Sequence, residues 1–85
     1  MAMGRNYKVI PRDVVSEKLE VFGTTYTIIA EIPEVKLKNA KINFLPTEAK
    51  SKIIQKVEFF KQNIGKEITV SLEESGENSF TVSVR

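Results

Sequence analysis

Between Thr47 and Ile64 the chain reads TEAKSKIIQKVEFFKQNI, and its apolar residues Ala49, Ile53, Val57, Phe60 and Ile64 recur every three or four positions. A backbone turning every 3.6 residues brings them onto one stripe, so the segment 47–64 is expected to be an amphipathic helix. Pro46 interrupts what precedes it, Thr47 offers a hydroxyl to the first-turn amides, and Gly65 suits the left-handed closure of the last turn. A helix with one greasy stripe must lay it on something, and the remaining sequence offers only strand patterns to receive it.

Those patterns come in chain order. Residues 1–6 show no periodicity and read as a disordered N-terminal arm, with a single domain over 7–85. Pro11 removes a ladder donor, which limits the first extended segment to an edge strand at 7–10. From Glu17 to Ile32, apolar and polar residues alternate around Gly23, where positive φ would permit a tight hairpin turn. Val35 and Leu37 share one phase and Ala40, Ile42 and Phe44 the other, so a bulge or short turn is expected near Lys38 and Asn39, followed by a strand at 40–45. Asn39 would tolerate a left-handed backbone there. After the helix, alternation at 68–73 and 80–85 around the polar loop 74–78 makes a second hairpin.

The element order β-β-β-α-β-β defines an α+β fold. It fits a small antiparallel sheet covered by the helix, or an OB-like five-stranded barrel with the helix plugging one end. Eighty-five residues hold one core and no second domain. At 41% hydrophobic and 28% charged residues the composition is that of an ordinary folded domain.

The absence of cysteine and histidine excludes disulfides, thiolate or imidazole metal ligands and the usual neutral-pH proton shuttle. Serines and threonines therefore lack an adjacent imidazole base, no glycine-rich phosphate loop is present, and the carboxylates show no paired spacing. The expectation is a protein that is not an enzyme and needs no cofactor or metal. Apolar runs are too short to cross a bilayer and the first residues lack a signal-peptide core, which points to a cytoplasmic protein with no membrane partner.

Charge is uneven along the chain. Residues 1–66 carry twelve Lys or Arg against seven acids, whereas residues 67–85 carry Arg85 against four glutamates. Lys36, Lys38 and Lys41 form the densest positive run, ahead of the helix. On the helix, Lys52, Lys56, Phe59 and Asn63 follow a second flank, where cations beside an aromatic ring could attract phosphates and stack a base. These features favour a small module binding DNA or RNA through Lys36, Lys38, Lys41, Lys52, Lys56 and Phe59. The alternative is a protein-interaction or inhibitory module acting through an exposed strand edge or the Phe59 flank. Two plainer readings compete with both: the lysines are a solvated surface, and Phe59 is a core ring, because a small domain seldom leaves a large aromatic outside.

Overall fold

The computed structural model describes residues 4–21, 23–45 and 47–82. Its longest element is β1 (Arg5–Leu19), which serves two neighbours in turn. Arg5–Val9 pairs antiparallel with β4 (Ile68–Gly76), and Ile10–Leu19 pairs antiparallel with β2 (Gly23–Ile32). The short edge strand expected at 7–10 is therefore a long strand with partners on both sides. Pro11 does not end it because the register shifts between Pro11 and Asp13, where a missing amide donor interrupts no ladder. Arg5 and Asn6, expected in a disordered arm, belong to the same strand, and the Arg5 guanidinium lies 4.5 Å from the centre of the Tyr7 ring. Residues 1–3 of that arm lie outside the described residues.

β2 begins at Gly23, whose φ of +76° supplies the expected turn geometry. It ends in a single 3-10 turn, Pro33–Val35, closed by Lys36 in the left-handed conformation at φ 58°. β3 (Leu37–Asn43) then pairs back on β2. Leu37 stands opposite Ile32 and Ala40 opposite Ala30, so three steps on β3 match two on β2. The extra residue falls at Lys38 and Asn39, where the change of phase places it; the left-handed residue is Lys36 rather than Asn39. This bulge keeps Leu37, Ala40 and Ile42 on the inner side while Lys38, Asn39 and Lys41 all face solvent.

β4 and β5 (Ser79–Val82) form the second hairpin around Glu77 and Asn78, and β5 runs parallel to β3. Residues 83–85 of the strand expected at 80–85 lie outside the described residues. The order β1-β2-β3-β5-β4 closes on itself, giving a five-stranded barrel of OB-like topology. Its interior is filled by inward-phase residues, among them Val9, Ile28, Ile42, Leu72 and Phe80, with the Tyr7 and Phe80 rings edge to face at 5.3 Å.

The helix α1 (Lys50–Gln62) covers this core with Val57 and Phe60, each 2% exposed. Phe60 meets Phe44 edge-on at 6.3 Å. The expected stripe is longer than the real one. Ala49 is the extended residue preceding the first turn and is exposed; Ile64 lies in the turn beyond Asn63 and is 46% exposed. Helical phase alone does not bury a residue that the helix does not include. Thr47 is not the cap: Ala49 holds that position without a side-chain hydrogen bond. Gly65 does adopt positive φ, at +83°, and its amide donates to the Pro11 carbonyl at 2.8 Å, tying the helix end to β1. Among the described residues no helix is long and apolar enough to cross a membrane.

Candidate functional site

The six residues singled out by sequence separate into two groups. Lys36, Lys38 and Lys41 follow the outer wall of β3, while Lys52, Lys56 and Phe59 lie on α1, which follows the far end of that strand. Seven residues of strand span roughly 20 Å, so the corner at Lys36 is remote from the helix.

On the barrel wall the bulge makes the cationic row, since it turns Lys38 outward on the same side as Lys41. Lys36, Lys38 and Lys41 are exposed and form no ion pair among the described residues. The nearby acid on β2, Glu31, is held by Arg12 across the β1–β2 pair. Glu34 accepts from the Lys8 amide at 2.7 Å. Neither carboxylate forms an ion pair with the row. Farther along the wall, the Thr27 hydroxyl donates to Asn43 Oδ1 at 3.0 Å, a bond that uses the Asn43 oxygen and not its amide N–H groups.

The helix flank has a different character. Lys56 is bound to Glu48, whose side chain is only 3% exposed, so its charge is already matched within the fold. Asn63 donates to the Phe59 carbonyl at 2.7 Å and serves the helix end. Phe59 is not a core ring: it is 46% exposed and leans edge-on against Phe60 at 6.0 Å. With Gln55, Lys56, Phe60, Val70, Ser71 and Val82 it lines an apolar hollow of about 270 Å³ between α1 and the β4–β5 hairpin. A stacking plate surrounded by available cations is not what this flank presents. Nor does the barrel offer a whole unpaired edge strand, because closure gives each strand two neighbours.

One feature escaped the sequence. β2–β3 pairing ends at Thr27 and Asn43, where β3 turns away toward the helix. The side of β2 that faced β3 is left without a strand partner over Thr24–Tyr26. A cleft of about 340 Å³ opens there, bounded by Thr24, Tyr26, Thr27, Asn43, Phe44 and Ile53. Tyr26 and Phe44 have inward phase and read as core, yet both are only half-buried because they stand where the barrel wall is incomplete. A change from alternation to turn residues near Phe44 was the only available signal. Among the described residues no group of three carboxylates could hold a metal ion. No family model, no curated protein and no solved structure matches this chain.

Proposed function

We propose that this chain is a non-enzymatic nucleic-acid-binding module that lays a phosphate backbone along the outer wall of β3. The observation carrying this reading is the row Lys36, Lys38 and Lys41, with Lys38 and Lys41 brought to one wall by the β3 bulge and none of the three in an ion pair among the described residues. Cations without an internal ion pair keep their charge available to phosphates, whose binding releases condensed counterions. OB-like barrels present the β2–β3 face to oligonucleotides, a fold-level analogy in the same direction. Lys52, Lys56 and Phe59 are not part of this surface.

The test is the salt dependence of binding to a labelled single strand. The native chain should bind more weakly as salt rises, and replacing Lys36, Lys38 and Lys41 with Gln should reduce the log–log slope by roughly 2 for three lost phosphate contacts. An unchanged slope would remove the β3 wall from the reading. A second reading, a protein partner anchored on Phe59, is favoured by that ring's exposure beside an apolar hollow. Loss of a partner by Phe59→Ala, with nucleic-acid affinity unaltered, would support it.

A further inference from the structure

The cleft beside Thr24–Tyr26 lies at the end of the same β3 wall, two residues beyond Lys41 at Asn43. We infer that it is a subsite for one unstacked nucleobase, which would make the module selective for single strands over duplex. This inference rests on the phosphate-binding reading of β3 and adds the ligand class to it.

Four features converge on that occupant. Tyr26 and Phe44 give half-buried ring surface at the cleft, the kind of surface on which a base of any sequence stacks. The side of β2 over Thr24–Tyr26 has backbone donors and acceptors with no strand partner, and Asn43 has amide hydrogens beyond its bond from Thr27, so hydrogen-bonding groups surround the rings. A smaller hollow of about 170 Å³ shares Thr24, Tyr26 and Ile53 with the cleft and adds Lys50. The Lys50 ammonium packs against Gly23 so closely that a Cβ there would stand 2.7 Å away. Lys50 makes no ion pair among the described residues, and the first turn of α1 has no acid. Lys50 therefore stands at the helix end of the cleft and Lys41 two residues from Asn43 at its β3 end, so a base there could have a cation near the phosphate on either side.

An extended peptide adding itself to β2 is the competing occupant, since the bare edge could pair with it. The edge argues against that. It is three residues long, roughly 10 Å, between the Thr27–Asn43 pair and the turn at Gly23, which suits a flat ring better than a strand needing several consecutive pairs. The cleft volume, at the low end for ligand sites, agrees with a single small ring.

The experiment compares a labelled oligothymidylate with an abasic strand of the same length, which keeps the phosphates and lacks the bases. Binding is measured on the full chain together with its amide NMR spectrum. The native protein should bind the base-bearing strand roughly 5- to 150-fold more tightly, with shifts at Thr24–Thr27 and Asn43 seen with that strand alone. Truncating Phe44 could unfold the protein, so the informative variant is Thr24→Leu, which crowds the cleft from an exposed position with a branched aliphatic side chain that offers no ring for stacking. It should bind both strands equally, at the native protein's affinity for the abasic strand. If both strands bind the native chain equally, with the salt slope still sensitive to Lys36, Lys38 and Lys41, the subsite is overturned while the phosphate reading survives. If neither strand binds, both readings fall. If the cleft amides respond to an extended apolar peptide and to neither strand, the occupant is a peptide and the inference is wrong.

Discussion

Lys41 on β3 and Lys56 on α1 are the same residue type on adjacent elements of one small fold, yet they have opposite situations. Lys56 faces a buried glutamate and ties the segment before α1 to its second turn, whereas Lys41 stands between Ile29 and Ser79 on the barrel wall and forms no ion pair among the described residues. Sequence density ranks both as equal members of a basic surface. What distinguishes them is whether the fold itself supplies the counter-charge, and only an unmatched cation remains available for a partner. On the proposed reading, the Lys56 flank is a structural wall and the β3 side the binding wall.

That division can be broken from the helix side first. Phe60→Ala should be the most damaging single change, costing roughly 3 to 5 kcal/mol, because it empties the contact between α1 and the barrel core. An unshifted urea midpoint would refute the packing of the helix. Lys56→Met should cost about 1 to 3 kcal/mol, since it strands the enclosed Glu48 carboxylate, one oxygen of which already lacks a partner. Glu48→Gln with Lys56→Met should recover part of that loss, and a thermal melt of both variants reads the difference. Phe59→Ala comes next, at roughly 1 to 2 kcal/mol, because nearly half of the ring is already in water. Its affinity for single strands should match the native protein once both are folded. Smallest of all, Lys36→Gln, Lys38→Gln and Lys41→Gln should each move stability by no more than about 0.5 kcal/mol. A larger loss at Lys41 would mean that its charge has an internal role and would erase the contrast with Lys56.

Much of the fold was legible because periodicity reports on burial. Val57 and Phe60 follow the helical stripe, Ile28, Ala30 and Ile32 follow a strand, and the clash of phase between Leu37 and Ala40 locates the β3 bulge. The misreadings share a cause. Ala49 and Ile64 fit the stripe but lie past the ends of α1, and Pro11 looked like a stop although a register shift absorbs it. Tyr26 and Phe44 carry core phase but border a gap whose position depends on where β3 parts from β2. Phase states which way a side chain points, and only the assembled barrel states what lies in that direction. For the candidate site, the lysines of β3 were legible as a dense charge run. The pairing of Lys56 with Glu48 was not, because Glu48 lies outside α1, where helical spacing does not say which way it faces.

The two-partner layout of β1 has a consequence for how the molecule assembles. Arg5 pairs with Leu72, so the barrel's seam joins residues 67 positions apart. The first three strands can begin to associate through nearby contacts, but the seam cannot close until β4 arrives, and that ordering entropy must be met before the contact rewards it. Until then, the Arg5–Val9 portion of β1 is an open strand edge bearing Tyr7 and Val9, a transient adhesive surface during synthesis or refolding. The kinetic weak point of the molecule is therefore the start of its longest strand. Refolding yield should fall with protein concentration more steeply for variants that slow the arrival of β4 than for variants of equal stability elsewhere.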